Sequence, residues 1–283
     1  MKRFIHIQDL QNFLIRPENS SKSVGFVPTM GALHEGHLSL IRRSKKENEI
    51  TLCSIFVNPI QFNNQDDLTG YPRMIEQDSK LLVREGVDLL FAPEVDEMYP
   101  PGEKPYLDLD FGKLERVMEG KYRPGHFNGV AIVVKKLFDI VKPTRAYFGK
   151  KDFQQLTIIN HMVQLLRLPV EIVACETVRE PDGLAMSSRN LRLTISEREV
   201  ASQIYDVLMY TKANAGTMPV KKLQLLAHKR LESNPLFRID YFEIVDKETL
   251  LPVSSWDHPE NIIACTATYL GDIRLIDNLE LFS

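Results

Sequence analysis

The chain has 283 residues, 43% of them hydrophobic and 26% charged, and a formal net charge of -3 at pH 7. This length suits either one large α/β domain or two moderate ones, and we favour two. A near-neutral charge provides no large basic field, so nucleic acid is not an expected partner. No apolar run approaches the roughly 20 residues of a membrane span, and the N-terminus lacks a secretory apolar segment. We therefore expect a cytoplasmic protein with no membrane partner.

The first predicted elements are a strand, a loop and a helix. Residues 24–27 form an apolar run typical of a buried strand, Pro28 and Gly31 interrupt it, and a helical pattern starts at Leu38. Residues 50–57 are β-branched and mostly apolar, and they predict a second buried strand. The polar residues that follow occupy the position where loops line the ligand crevice of an open α/β sheet.

Strands and helices then alternate along the chain. Helical spacing is found at residues 76–85, 113–120, 130–141 and 154–166. Strand-like runs are found at residues 87–92, 145–148 and 170–175. This alternation predicts an α/β fold with a Rossmann-like, doubly wound parallel sheet.

A polar stretch after residue 175 predicts a hinge near residue 184, which divides the chain into domains of residues 1–184 and 185–283. Thr194 and Glu197 have capping-box spacing and predict a helix that runs to about residue 213. Ser196 with Glu199 offers a second register for the same cap. A further helix at residues 218–233 and three strands at residues 239–245, 262–269 and 273–277 complete a smaller α+β domain.

Two histidines flank the predicted start of the first helix. His34 and His37 are three residues apart, so their imidazoles share one face if residues 35–37 are helical. A helix start carries unpaired N–H groups that attract anions, and Gly36 lets a ligand approach the main chain. The pattern predicts a phosphate site. The alternative is one structural and one surface histidine.

Metal chemistry on protein side chains is not predicted. The metalloprotease zinc pattern needs histidines four residues apart with a glutamate after the first, and here the spacing is three with no obvious third ligand. The cysteines lie far apart in apolar runs, which indicates reduced core thiols rather than a disulfide or a zinc cluster. They are Cys53, Cys175 and Cys265.

Two further segments combine cations with polar groups. Lys150 and Lys151 begin a predicted helix directly after a short strand, where either ammonium can reach phosphoryl oxygens while Asp152 caps the helix or contacts a ribose or metal. Residues 186–189 supply two hydroxyls and an arginine, which stabilise charge on a transferring phosphoryl group. The simpler alternatives are a solvated surface and an ordinary turn.

Two glutamines each follow a predicted strand. If Gln61 and Gln155 point into the crevice, their amides can donate to a carboxylate and accept from a hydroxyl, as a small hydroxy acid requires. Otherwise both are solvated loop amides. Arg123 and His126 lie in a loop bracketed by glycine and proline, where a site role and a plain loop role are equally open.

Five motifs in this order resemble those of the pantothenate synthetases, the pantoate–β-alanine ligase family. They are Pro-Thr-Met-Gly-Ala-Leu-His-Glu-Gly-His, Phe-Val-Asn-Pro-Ile-Gln-Phe, Arg-Pro-Gly-His-Phe, Phe-Gly-Lys-Lys-Asp-Phe-Gln-Gln-Leu and Met-Ser-Ser-Arg-Asn. The first is similar to the His-x-Gly-His signature of nucleotidyltransferases and class I aminoacyl-tRNA synthetases. Met-Ser-Ser-Arg stands where those synthetases carry a lysine-serine loop.

The resemblance implies a two-step reaction. ATP and pantoate give pantoyl adenylate and pyrophosphate, and the β-alanine amine then attacks the mixed anhydride to give pantothenate and AMP. It also implies Mg²⁺ on the phosphates and a homodimer. Because the intermediate hydrolyses readily, the C-terminal domain is expected to act as a lid that excludes water.

The resemblance also assigns site residues. His37, as proton donor, with His34, Lys151 and Arg189 would form the catalytic set, and Gln61 would contact pantoate and β-alanine, Gln155 pantoate. The ATP-binding residues would be Met30, Gly31, Ala32, Leu33, His34, Glu35, Gly36, His37, Gly149, Lys150, Lys151, Asp152, Val178, Met186, Ser187, Ser188 and Arg189. Lys150 replaces the family's usual glutamate, so we expect no role for its side chain.

Residue chemistry points the same way independently. A carboxylate attacking phosphorus is already ionised, so positioning and charge stabilisation suffice, and no triad or covalent nucleophile is apparent in the sequence. One rival is a nucleotidyltransferase that stops at pyrophosphate release. Another is a non-catalytic nucleotide-binding regulator, in which the histidines only line a pocket.

Overall fold

The computed structural model describes residues 1–103, 105–107 and 109–282. The chain divides into two compact units. The first comprises Met1–Asp110, Arg123–Lys150 and Ile158–Glu176, and the second Phe111–Tyr122, Lys151–Thr157 and Thr177–Ser283. The second unit therefore takes two short segments from the N-terminal half of the chain. The domain boundary near residue 184 stays a prediction.

A parallel sheet forms the centre of the first unit. Within the described residues it has six strands, in the order β1-β4-β3-β2-β5-β6. Their bounds are β1 Lys2–Phe4, β2 Val24–Thr29, β3 Ile50–Ile55, β4 Leu89–Phe91, β5 Arg145–Gly149 and β6 Glu171–Cys175. Every paired neighbour is parallel, which confirms the predicted doubly wound sheet. The strand order reverses between β2 and β5, and ligands bind at the carboxyl ends of strands at such a switch point.

The longer helices of this unit have buried apolar residues, and among the described residues six helices belong to it alone. They are α1 Ile7–Leu14, α2 Glu35–Glu47, α3 Gln65–Thr69, α4 Ile75–Arg84, α5 Val95–Met98 and α7 His126–Val141, and α8 Phe153–Leu165 has residues in both units. Leu38, Leu40 and Ile41 of α2 lie in one buried cluster with Val27 of β2 and Cys53 of β3. Each such side chain contributes about 1.5–3 kcal/mol when buried. This packing fixes the start of α2 beside the end of β2.

The first unit differs from the sequence expectation at one helix start and in several elements that were not predicted. Helix α7 begins at His126 rather than residue 130, so His126 lies in the helix and not in a loop. Strand β1 and helix α1 were not predicted, because the three residues of β1 are polar or partly exposed and give no apolar run. The predicted core thiols are confirmed: all three cysteines are free and buried, and burial raises the pKa of Cys53 to about 12.

The second unit is the predicted α+β assembly. Within the described residues, an antiparallel sheet joins β7 Phe237–Asp246, β8 Ile262–Leu270 and β9 Ile273–Glu280 in that order. The helices are α6 Met118–Tyr122, α9 Ile195–Ala201, α10 Gln203–Asn214 and α11 Val220–Glu232. The Thr194–Glu197 capping box is present, but the single helix predicted after it is two helices that meet at Ser202. No helix in the described parts of the chain is long and apolar enough to cross a membrane.

Candidate active site

The turn between β2 and α2 is held by a buried carboxylate. Gly31 and Ala32 both have left-handed backbone conformations, with φ of 82° and 50°. Asp78 of α4 accepts the main-chain N–H of Ala32 at 2.9 Å and that of Leu33 at 2.8 Å. Burial raises the pKa of Asp78, and the two N–H bonds oppose that shift. The carboxylate therefore fixes the main chain that leads into the histidine pair.

The two histidines lie together at the start of α2. His34 is the N-cap residue, with φ −136° and ψ 175°, and His37 is the third residue of the helix. Their ring centroids are 4.1 Å apart, and the His34 N–H faces His37 Nδ1 at 3.4 Å. Both side chains are half-buried. The predicted shared face is confirmed, and the rings stand beside the N–H groups of the first helical turn, where an anion is favoured.

Gln61 is a buried residue rather than a solvated loop amide. It ends a short 3₁₀ helix, Pro59–Gln61, that follows β3. Its Nε2 donates to the Met30 sulfur at 3.1 Å, and its Oε1 accepts from Asn58 Nδ2 at 3.1 Å. Two predicted site residues are thus in contact at the carboxyl ends of neighbouring strands. Asn58 was not predicted as a site residue.

His126 bonds to the main chain of Gln61, and Arg123 bonds to His126. His126 Nδ1 lies 2.8 Å from the Gln61 main-chain oxygen, and Arg123 Nη1 lies 3.1 Å from His126 Nε2. An arginine can only donate, so Nε2 accepts and Nδ1–H donates to the Gln61 carbonyl. Gly129, one turn along α7, packs so closely that an added Cβ would lie 2.4 Å from the Ile60 oxygen. These contacts fix the position of the Gln61 main chain.

The two lysines that follow β5 have different environments. Lys150 Nζ forms an ion pair with Glu176 Oε1 at 2.6 Å, and the Glu176 side chain is 82% exposed. Lys151, by contrast, has a side chain that is only 17% exposed, with its Nζ 3.5 Å from Asp152 Oδ1. The expectation that the Lys150 side chain has no site role stays a prediction. Gly149 has open space where a Cβ would lie, so its main chain is accessible.

In the second unit, a tight main-chain hairpin brings Val178 and Met186 together. Met186 donates its N–H to the Val178 oxygen at 3.0 Å, next to an antiparallel bridge between Arg179 and Ala185. Ser187 then caps a short 3₁₀ helix, Ser188–Arg192, by accepting the Arg189 N–H at 3.3 Å. The predicted hydroxyl and arginine run is therefore an ordered helical turn.

The two glutamines that begin α8 differ in environment. Gln154 is buried, and its amide bonds to the main chain at Leu114, Val117 and Glu119. Gln155 is partly exposed. The substrate assignment of Gln155 stays a prediction.

Sequence reasoning missed two buried polar residues that contact motif residues, Asn58 within a motif and Asp78 outside the motifs. For Asp78 a signal existed: the residue shares the inner face of α4 with Ile75 and Leu82, where an acid needs a polar partner. Asn58 and Asp78 are both buried polar residues with donors or acceptors that reach motif residues. Glu35, in contrast, is in a motif but pairs with Arg42 on the surface of α2.

Known proteins are similar to this chain in sequence and fold over nearly their full length. The family model for pantoate-beta-alanine ligase matches residues 2–280. The pantothenate synthetase of Bacteroides fragilis is 49% identical over 280 residues, 99% of this chain and 99% of the relative. That of Porphyromonas gingivalis is 45% identical, again over 99% of each.

Solved structures agree. Pantothenate synthetase from Thermus thermophilus superposes with a TM-score of 0.93 at 45% identity, covering 100% of both chains. Pantoate-beta-alanine ligase from Francisella tularensis, crystallised with beta-gamma ATP and beta-alanine, gives 0.82 at 34% identity over 99% of this chain and 98% of that one. The parallel sheet, the histidine pair and these full-length matches lead to one conclusion: the chain belongs to the pantoate-beta-alanine ligase family.

Proposed function

We propose that this protein condenses pantoate with β-alanine to form pantothenate, using ATP and releasing AMP and pyrophosphate. The reaction proceeds through pantoyl adenylate. The observation that carries the proposal is the adjacent pair His34 and His37, whose rings are tilted with their centroids 4.1 Å apart, at the start of α2 and the carboxyl end of a switch-point strand in a chain of this family. That geometry suits the phosphates of a nucleotide.

The first unit offers ATP a preformed anion site. The start of α2 carries the positive end of the helix dipole, which favours an anion. Asp78 fixes the left-handed turn that precedes this helix. His37 is proposed to donate a hydrogen bond to the phosphates as negative charge builds there. Lys151, Ser187, Ser188 and Arg189 are proposed to bind phosphate oxygens too, since cations and hydroxyls stabilise a transferring phosphoryl group.

Mg²⁺ is proposed to enter with the nucleotide. Among the described residues, no group of three or more histidine, cysteine or acidic side chains can hold a metal ion. Mg²⁺ keeps several waters and is often bound through substrate phosphates with one or two carboxylates, so this residue set is compatible with it. Asp152, 47% exposed and beside Lys151, is the carboxylate that we propose for it. When bound, the ion neutralises charge on the phosphates.

Pantoate needs orientation rather than activation. Its carboxylate is ionised at neutral pH and can attack the α-phosphorus without a general base. We propose that the Gln61 amide orients pantoate and then the β-alanine amine, and that Gln155 also contacts pantoate. Gln61 is rigid because Asn58 and Met30 hold its side chain and His126 holds its main chain. A pre-oriented amide loses little entropy when the substrate binds.

The finer points of organisation belong to the same proposal. We include a lid formed by residues 185–283, which would keep water from the mixed anhydride, a cytoplasmic location and a homodimer. The free, buried thiols of the described chain suit a reducing compartment.

The direct test of the first step is isotope exchange. Labelled pyrophosphate should enter ATP when enzyme, Mg²⁺ and pantoate are present and β-alanine is absent, because adenylate formation is reversible. Exchange that does not require pantoate would overturn the proposal. A regulator that only binds nucleotide would show none.

A further inference from the structure

Three polar residues of the second unit form a buried group that we call the Arg179 cluster: Arg179, Asp277 and Asn278. The Asp277 side chain, on β9, is only 3% exposed. Arg179 binds its carboxylate through both terminal nitrogens, at 2.6 and 3.0 Å, and the Asn278 N–H donates to Oδ1 at 2.8 Å. Burial raises the pKa of Asp277, and the charge of Arg179 opposes that shift. Both oxygens of the carboxylate therefore accept hydrogen bonds.

The cluster reaches the hairpin that carries Val178 and Met186. Arg179 Nη1 also donates to the Gly183 oxygen at 3.0 Å, and Nη2 to the Asn278 oxygen at 3.2 Å. The guanidinium lies over the Tyr205 ring, 4.1 Å from its centroid. A guanidinium with this many fixed partners has one orientation. The hairpin therefore has one arrangement with respect to β9.

The cluster also reaches Lys151. Asn278 Nδ2 donates to the Lys151 main-chain oxygen at 2.8 Å, across 127 residues of sequence. Asn278 is itself buried. The bond anchors the main chain at the residue whose ammonium is proposed to bind phosphate. One group of side chains thus supports both nucleotide-binding segments of this unit.

A buried ion pair usually adds little to the free energy of unfolding, compared with apolar residues of the same size. Replacing one by apolar residues is often neutral or stabilising, because desolvation offsets the attraction of the charges. What a bidentate pair supplies is fixed geometry. This physical comparison favours a role in orienting the two segments over a role in holding the fold.

We infer that Asn278 is a positioning residue for Lys151, and that Arg179 and Asp277 hold Asn278 and the hairpin in place for it. This inference rests on the proposed function. Lys151 is expected to act when pyrophosphate leaves in the first step. In the second step AMP leaves and the bond to pyrophosphate is already broken. Misplacement of Lys151 should therefore slow adenylate formation selectively.

The test compares the two half-reactions in Asn278→Ala, Asn278→Leu and wild type. Leucine keeps the side-chain volume but cannot donate to Lys151. The matched control is Asn214→Ala, in the same unit, whose Nδ2 donates to the Tyr210 main-chain oxygen at the same 2.8 Å. Single-turnover rates are measured for ATP plus pantoate, and separately for synthetic pantoyl adenylate plus β-alanine.

We expect both Asn278 variants to slow the first half-reaction about 10-fold to 100-fold, the range for a misplaced catalytic group. The second half-reaction should change less than about twofold, and Asn214→Ala should slow neither step selectively. An equal loss in both steps, or a first step as fast as that of Asn214→Ala, would overturn the inference. A wild type that forms no adenylate would instead refute the proposed function.

Discussion

The Asp78 carboxylate and the Leu33 main-chain N–H meet at 2.8 Å, although 45 residues separate them in sequence. The same carboxylate binds the Ala32 N–H. A side chain of α4 thereby sets the path of the chain just before His34. The loop that leads into the histidine pair, part of the proposed nucleotide site, is held by a helix that contributes no residue to the motifs.

Truncation of Asp78 should cost both stability and activity. Asp78→Ala leaves two main-chain N–H groups without their acceptor, and an unsatisfied buried donor costs about 1–3 kcal/mol. We expect the free energy of unfolding to fall by about 2 kcal/mol or more. The rate of adenylate formation should fall by about tenfold or more. Urea unfolding and single-turnover kinetics measure these. Asp139→Ala, which breaks an exposed pair with Lys135, is the control, and an equal effect there would contradict the role of Asp78.

The raised pKa of Asp78 should be detectable in the pH dependence of the protein's stability. Burial raises its pKa above the ordinary 3.8, so between 3.8 and the raised value the folded state holds the proton more tightly. The Asp78 carboxyl therefore contributes most to the free energy of unfolding below pH 3.8. This contribution is lost as the pH rises through the raised pKa. The unfolding free energy of wild type minus that of Asp78→Asn should decrease as pH rises across that window. A flat or rising difference would show that the pKa is not raised.

Removal of the His37 imidazole should slow adenylate formation by two or more orders of magnitude, as loss of one charge-stabilising donor commonly does. The same holds for Lys151→Ala. His228→Ala removes an exposed imidazole that faces Glu232 on α11, and it serves as the control. Pantoate-dependent pyrophosphate release is the measurement. A change within about twofold of wild type for His37→Ala would sink the assignment.

Gly129→Ala should weaken pantoate binding although it replaces no motif residue. The new Cβ would lie 2.4 Å from the Ile60 oxygen and 2.7 Å from Gln61 Cα, so the Gln61 turn must move. Alanine otherwise favours a helix by about 1 kcal/mol, so lost function would come from the clash. We expect the KM for pantoate to rise about tenfold, a loss of about 1.4 kcal/mol. Asn128→Ala, exposed on the same helix, should leave KM unchanged.

The sequence predicted the centre of the fold because its signals are local. Buried parallel strands are apolar on both faces, so β2 and β3 appear as continuous apolar runs. The three-residue edge strand β1 has no such run. Gly125, with φ 80°, marks a turn directly before α7. The glycine and proline signals around it hid the helix start at His126.

The sequence predicted the residues of the candidate site that lie within its motifs. His34, His37 and Gln61 each follow a strand, which is a local pattern. The hydrogen bonds from Leu33 to Asp78 and from Asn278 to Lys151 are not local, because they span 45 and 127 residues. A single sequence does not encode such pairings in spacing or periodicity. These two pairings were therefore visible only in the structure, although Asp78 itself shows in the sequence as an acid on the apolar face of α4.

The central claim is that pyrophosphate release is coupled to β-alanine through an enzyme-held adenylate. The decisive measurement follows pyrophosphate, AMP and pantothenate with ATP, Mg²⁺ and pantoate, with and without β-alanine. We predict one rapid turnover of pyrophosphate without β-alanine, and continuous release matched by AMP and pantothenate with it. Continuous release that β-alanine does not change, as a nucleotidyltransferase would give, would contradict this account.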